Sequence, residues 1–355
     1  MSAPDPLSEF DFDLPEARIA LRPAEPRDSA RLLVVHGDGR LEDSSIRSLP
    51  SWLRAGDGLV FNDTRVLPAA LQGIRRARTA LGQDITATVN LVARLGPGAW
   101  LALARPGKRL KPGDRIDFGP DFSAAVREKR EGGEVVLDFD RQGAALEDAL
   151  DRFGAMPLPP YIARRRAADA ADRMSYQTQF AAGPADSVAA PTAGLHFTPD
   201  LMARIKAHGV AQDFVRLTVG LGTFAPLRAD QIEAGRLHAE YCSVDAGVAD
   251  RINLMRKRGG RCIAVGTTAL RTLESAARPG GELGAWAAET DIFIRPGDPV
   301  RITDGLLTNF HLPRSSLFML VCALMGTDVM RAAYAHAISE NYRFYSYGDA
   351  CLLLP

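Results

Sequence analysis

The chain has 355 residues, more than one hydrophobic core usually serves, so two domains are expected. With 46% hydrophobic and 24% charged residues and a mean hydropathy of -0.08, it reads as globular, which excludes a disordered or fibrous chain. The 43 basic and 43 acidic residues cancel, so any nucleic-acid surface must come from local clusters of Lys and Arg.

The four cysteines, Cys242, Cys262, Cys322 and Cys351, form no C-x-x-C pair and suggest buried thiols in a reducing compartment. The opening MSAPDPLSEFDFDLP carries acids and prolines where a secretory signal needs a basic start and an apolar stretch, so secretion is not expected. The most apolar run, Ser316 to Met325, is about half the roughly 20 residues of a membrane span and reads as a buried helix.

In chain order, GLVFN before the polar turn Asn62 to Arg65 predicts a strand entering a loop. Between about Leu71 and Asp151, short runs such as TATVNLVARL, AWLALAR, DRIDF, AAVREK and EVVLDF alternate with Gly and Pro, which predicts a small all-β module. Helical texture returns at Ala145 to Ala155, so the module reads as an insertion into a mixed domain. PLPPYIARR is expected to be extended, and DLMARIKAHG from Asp200 to be a helix stopped by Gly209.

QDFVRLTV predicts a strand, VADRINLMRKRGG a helix, RCIAVG a strand and TTALRTLESAAR a helix opening on two threonines, which together indicate α/β architecture. TDIFIR and PVRIT are expected as strands, SSLFMLVCALMG and TDVMRAAYAHAISEN as helices, and YRFYSYGDACLLL as an extended end.

Several segments could carry chemistry. Ala189 to Phe197 is a row of small residues ending at His196, just before a helix whose cap is expected at Thr198 or Asp200 and whose first N–H groups would suit an anion. The alternative is a tight turn with a packing histidine. His196 and His311 both lie in loop-like settings beside Phe and could act near neutral pH as general acid or base; neither has metal-ligand spacing, and no metal site is expected.

Gly220, Gly222 and Thr223 follow a strand but lack the third glycine of a dinucleotide fingerprint and the Lys of a Walker loop. Gly266, Thr267 and Thr268 lie between a strand and a helix, where ligands of α/β sheets gather; the alternative is an ordinary threonine cap. Arg271 and Glu274 share a helix face, either as a surface pair or facing a pocket. Basic clusters occur at Arg75, Arg76 and Arg78, at Arg105, Lys108, Arg109 and Lys111, and at Arg164, Arg165 and Arg166.

Taken in order, FDFDLPEARIA, GDGLVFNDTRVLPA, RPGKRLKPGDRI, GAMPLPPYI, YQTQFA, SVAAPTAGLHFT, VGLGTF, LHAEY, AVGTTALRTLES, TDIFIRPG, DGLLTNFHLP and YRFYSYGDA resemble the S-adenosylmethionine:tRNA ribosyltransferase-isomerase family almost from end to end. The resemblance implies a mixed α/β catalytic domain, 1–70 and 152–355, with an inserted β-barrel-like domain, 71–151. It implies transfer of the ribosyl unit of S-adenosylmethionine to 7-aminomethyl-7-deazaguanine at the tRNA wobble position, with rearrangement to epoxyqueuosine and loss of adenine and methionine. The co-substrate is then consumed and no resident cofactor is expected. The partners are that tRNA and S-adenosylmethionine, and a cytoplasmic monomer away from membranes is expected.

By the same resemblance, His196 or His311 moves protons, while Pro191, Thr192, Ala193, Gly194 and Leu195, with Gly266, Thr267 and Thr268, cradle the nucleoside or amino acid. Asn62, Asp63, Thr64, Arg65 and Asp349 are expected to line the pocket. Tyr161, Gly220, Gly222, Thr223, His238, Glu240, Arg271, Glu274 and Asn309 complete the substrate-binding set. Arg105, Lys108, Arg109, Lys111, Arg164 and Arg165 are the tRNA candidates.

The chain departs from the family pattern at Thr218 and Gly235, where the family usually has histidines, at Arg295 in place of a Tyr, and at Thr88 in place of a Glu. These departures leave two alternatives beside turnover on tRNA: binding without turnover, or action on a nucleoside outside tRNA.

Overall fold

The computed structural model describes residues 5, 7–220 and 227–355. Strands β1 (Arg31–His36), β2 (Leu41–Ser45), β3 (Gly58–Asn62) and β4 (Arg65–Val66) come first. Then follow β5 (Ala70–Arg75), β6 (Ile85–Arg94), β7 (Ala99–Arg105), β8 (Arg115–Gly119), β9 (Phe122–Lys129) and β10 (Glu134–Phe139). Helices α1 (Gly143–Phe153), α2 (Pro160–Ala163) and α3 (Ala170–Ser175) lead to β11 (Ala185–Ser187), α4 (Pro199–Ala207) and β12 (Ala211–Leu217). The remainder is α5 (Ala229–Ala234), β13 (Arg236–Val244), α6 (Ala246–Lys257), β14 (Cys262–Val265), α7 (Thr267–Ser275), β15 (Trp286–Ile292), β16 (Gly305–Asn309), α8 (Ser316–Met325), α9 (Thr327–Ser339) and β17 (Ala350–Leu354).

The fold is mixed α/β with an inserted all-β barrel. Nine strands form the main sheet in the order β15-β13-β12-β3-β14-β16-β17-β1-β2. Its centre is parallel, β12 and β14 flanking β3 and β16 following β14, and β3, β14 and β16 are buried at every residue. Such runs are what a sheet covered on both faces requires. Alternate side chains part accordingly: Val60, Ala264 and Leu306 join the core under α6 to α9, and Leu59, Phe61, Ile263 and Val265 join the core under α4.

The barrel closes in the order β10-β7-β6-β5-β8-β9, every pair antiparallel. Strict alternation in β6, with Ile85, Ala87, Val89 and Leu91 buried and their neighbours exposed, turns one side inward around the fully buried Trp100. The chain enters and leaves the barrel at one place, where Ala70 and Ala155 exchange backbone hydrogen bonds of 3.1 and 2.8 Å.

Two readings are corrected. PVRIT is not a strand, because the N–H groups of Arg301, Ile302 and Thr303 donate to the Glu274 carboxylate instead of a ladder. PLPPYIARR holds the short helix α2, with Pro160 at its first position, where a missing N–H is no loss. Between TDIFIR and the apolar helix, the strand is β16, not PVRIT. The apolar run is the expected buried helix, α8, with Phe318 and Val321 fully buried. Among the described residues no single helix is long and apolar enough to cross a membrane.

Candidate active site

The parallel strands β3, β12, β14 and β16 all end at one edge of the sheet. A cavity of about 530 Å³ opens there, between the loop before α4, the start of α7, the loop after β16 and the segment before β17. Pro191, Thr192, Ala193, Gly266, Thr267, Thr268, Asn309, His311 and Tyr161 line it, which brings together candidates from four separate segments of the sequence.

Asn309, at the end of β16, organises the floor. Its side-chain oxygen accepts from the Thr192 hydroxyl at 2.9 Å, and its amide donates to His196 Nε2 at 3.2 Å and toward the Asp349 carbonyl at 3.5 Å. His196 closes the three-ten turn Thr192–His196 and is buried behind Asn309, off the cavity wall. Burial holds its pKa down at about 4, although Asp349 pulls the other way, and its second ring nitrogen is engaged by the Arg27 backbone. His196 therefore touches Asn309, which lines the cavity, and does not line it itself.

His311 is on the wall itself. Its Nε2 shares a hydrogen bond of 3.0 Å with the Thr308 hydroxyl, its backbone N–H donates to the Tyr334 hydroxyl at 2.9 Å, and burial lowers its pKa to about 3. Tyr161 and Tyr345 form an aromatic corner, centroids 4.7 Å apart, and the Tyr161 hydroxyl accepts the Ser346 N–H at 2.8 Å. Tyr345 holds a φ of 73°, a conformation a bulky residue adopts only under constraint, and its N–H donates to the Phe310 carbonyl. Thr308, Tyr345 and Ser346 were missed as site residues; the positive φ of Tyr345 has no signature in sequence.

Other expected pocket residues are clamps beside the cavity. Asn62 fixes the β3–β12 edge by bonding both backbone groups of Leu217 and the Thr64 N–H. Asp63 makes a two-pronged pair with Arg216 at 2.7 and 2.9 Å, Thr64 bonds Ser187, and the exposed Arg65 reaches toward Asp151. Asp349 accepts from the Arg31 and Arg343 N–H groups and the Arg343 guanidinium, which ties β1 to the segment before β17. Gly194 packs so closely that a Cβ would lie 2.8 Å from the Phe180 ring, and Leu195 is core. His238 is exposed on β13, and Gly222 and Thr223 lie outside the described residues.

Arg271 and Glu274 do not pair with one another. Arg271 binds Glu240 at 2.5 Å, and Glu240 also accepts the Gly220 N–H at 3.0 Å. Glu274 receives three backbone N–H groups and the Thr303 hydroxyl, which tie it to the 301–303 segment. The helix start after His196 is also self-contained, since Thr198 caps α4 through the Leu201 N–H and donates to Asp28.

Two departures from the family pattern meet in space: Gly235 ends α5 in the left-handed region at φ 65°, and a Cβ there would lie 3.5 Å from the Arg295 guanidinium. Thr218 donates to Asp186, whose pKa burial raises. Thr88 reaches only the Arg105 carbonyl at 3.5 Å. Among the basic clusters, Arg76 and Arg78 are neutralised by Asp84 and Asp114, Arg75 is buried and Arg166 is locked to Asp172. Arg105, Lys108, Arg109, Lys111 and Arg164 are exposed and have no ion pair among the described residues, whereas Arg165 pairs with Glu16 at 3.0 Å.

A profile of the family described as "Queuosine biosynthesis protein" matches residues 7–353. The S-adenosylmethionine:tRNA ribosyltransferase-isomerase of Hyphomonas neptunium is 64% identical over 349 residues, covering 98% of this chain and 99% of its own length. The protein of that name from Caulobacter vibrioides is 54% identical over 359 residues, with 98% of each chain covered. The crystal structure of S-adenosylmethionine tRNA ribosyltransferase from Thermotoga maritima superposes with a TM-score of 0.56 at 34% identity, covering 98% of this chain and 100% of that one. With its profile matched nearly end to end, its relatives aligned over their full lengths and its architecture shared, the chain belongs to the queuosine biosynthesis family of S-adenosylmethionine:tRNA ribosyltransferase-isomerases.

Proposed function

We propose that this chain transfers the ribosyl unit of S-adenosylmethionine to the aminomethyl group of 7-aminomethyl-7-deazaguanine in tRNA and isomerises it to epoxyqueuosine, releasing adenine and methionine. Full-length relatives bearing that enzyme name support the reaction class. The observation that carries the reading to this molecule is the cavity at the carboxyl edge of the parallel strands, where the imidazole of His311, the amide of Asn309 and the start of α7 converge.

The sulfonium of the co-substrate acidifies the neighbouring C5′ hydrogens, so the reaction needs a neutral acceptor there and a donor for departing adenine. His311, on the cavity wall with Thr308 fixing its ring, is assigned to proton transfer, and His196 holds Asn309 in place. The faces of Tyr161 and Tyr345 suit a base or the sulfonium charge. The cations without ion pairs on the barrel, Arg105, Lys108, Arg109 and Lys111, and Arg164 after α2 are assigned to tRNA phosphates. S-adenosylmethionine is consumed, so no resident cofactor enters the scheme, and a tRNA substrate fits a cytoplasmic enzyme.

The test is incubation with S-adenosylmethionine and tRNA carrying the aminomethyl base. Adenine release that requires this tRNA is expected; binding of both without release overturns the reading.

A further inference from the structure

α7 begins at the cavity without a cap. Gly266 stands at its N-cap position with φ 90° and offers no side chain, so among the described residues the first N–H groups of the helix have neither a helical carbonyl nor a side-chain partner. Thr268, on that first turn, is only 8% exposed, lines the cavity and has no hydrogen-bond partner at its hydroxyl among the described residues. One turn further along the same face, Arg271 is 4% exposed; one guanidinium nitrogen meets Glu240, and Nε and Nη2 have no partner among the described residues. Buried donors are normally satisfied, and orphans grouped at a positive helix end call for an anion.

We propose that the start of α7, with the Thr268 hydroxyl and the Arg271 guanidinium, holds the carboxylate of the methionyl tail of S-adenosylmethionine. The proposal rests on the function given above. A monoanion fits the charge, because Glu240 already answers part of the Arg271 cation. A polynucleotide phosphate fits less well, because Arg314, the one Arg among the described residues that lines the cavity, is paired with Asp5 and Asp11. Anchoring the tail on α7 sets the sulfonium in the cavity that His311 also lines.

The test is calorimetric binding of two ligands, S-adenosylmethionine and its decarboxylated analogue, to wild type, Thr268→Val and Arg271→Lys. Thr268→Val is isosteric and keeps the Arg271–Glu240 pair, so it serves where the arginine variant fails to fold. Wild type is expected to prefer the carboxylate-bearing ligand. Each variant should weaken that ligand by about tenfold to a hundredfold, the span for one hydrogen bond to a charged group, and leave the analogue unchanged. Equal affinity of wild type for both ligands, or an equal loss on both in Thr268→Val, overturns the proposal. So does a Thr268→Val defect in tRNA affinity alone, which would make the site a phosphate site. Carboxylate-dependent binding without adenine release would support the subsite while refuting the function.

Discussion

Acid should destabilise this protein through two imidazoles before its carboxylates begin to titrate. His196 and His311 are buried with pKa values near 4 and 3, against 6.5 for the free side chain. A base whose folded pKa lies below its unfolded value contributes stability that is complete above the unfolded pKa and is lost as the pH falls toward the folded one. Each imidazole then costs about 1.4 kcal/mol per pH unit below 6.5, so at pH 5 the pair removes roughly 4 kcal/mol, a large part of a typical 5–15 kcal/mol.

Carboxylates held low, such as Asp57 and Asp172, lose their contribution only at lower pH, and Asp186, held high, acts in the opposite sense; all are common to wild type and variants and cancel between them. The assay is urea unfolding between pH 5 and pH 7.5 on wild type, His196→Gln and His311→Gln. Each variant should lower the slope of stability against pH below 6.5 by about 1.4 kcal/mol per pH unit relative to wild type. Slopes equal to that of wild type would refute the burial argument for both histidines, and a changed slope in His311→Gln alone would show that His196 is hydrated.

Glu274→Gln turns an acceptor for three backbone N–H groups into a side chain that presents its own donors, and urea unfolding should show a loss of about 1–3 kcal/mol. S-adenosylmethionine binding should survive, since Glu274 faces the 301–303 segment; an unchanged midpoint would contradict the cap. Arg109→Glu with Lys111→Glu should weaken tRNA binding and lower the slope of log affinity against log salt by about one for each phosphate no longer neutralised, and an unaltered slope would remove the barrel from tRNA binding. Gly154→Ala places a Cβ 2.1 Å from the Pro68 carbonyl oxygen, where the barrel rejoins the main domain, and should lower the melting temperature by an amount equivalent to about 1–3 kcal/mol. A melting temperature equal to wild type would mean that junction is loose.

The barrel was legible because its strands alternate locally, as Ile85 to Leu91 do. Of the central strands, β3, β12 and β14 were legible, and α7 with them, because runs such as Cys262 to Val265 are short, apolar and, there, followed by helix formers. β13 escaped because Arg236 to Ala239 is exposed or half-buried and the alternation that follows opens on a buried charge, Glu240. PVRIT was misread because a carboxylate far along the chain, Glu274, took the N–H groups that a ladder would have used. Within the site, Thr192, Thr268 and His311 were reachable from local texture, but the separation of His196 from the wall depends on Asn309, and the Arg271–Glu240 pair spans 31 residues. No local pattern encodes which of two histidines faces a cavity.

The place of β17 between β16 and β1 sets an order of events during synthesis. Among the described residues β1 and β2 join the rest of the sheet only through β17, and the Arg31–Asp349 contact beside it spans 318 residues. The barrel, by contrast, draws all its pairings from residues 70–139 and can close as soon as they leave the ribosome. Leu32 to Val35, apolar on both faces, must wait unpaired on one side until residue 350 emerges. The nascent chain therefore carries a finished barrel and an open, sticky hairpin edge for most of its translation, and that edge is where a holding chaperone would be needed.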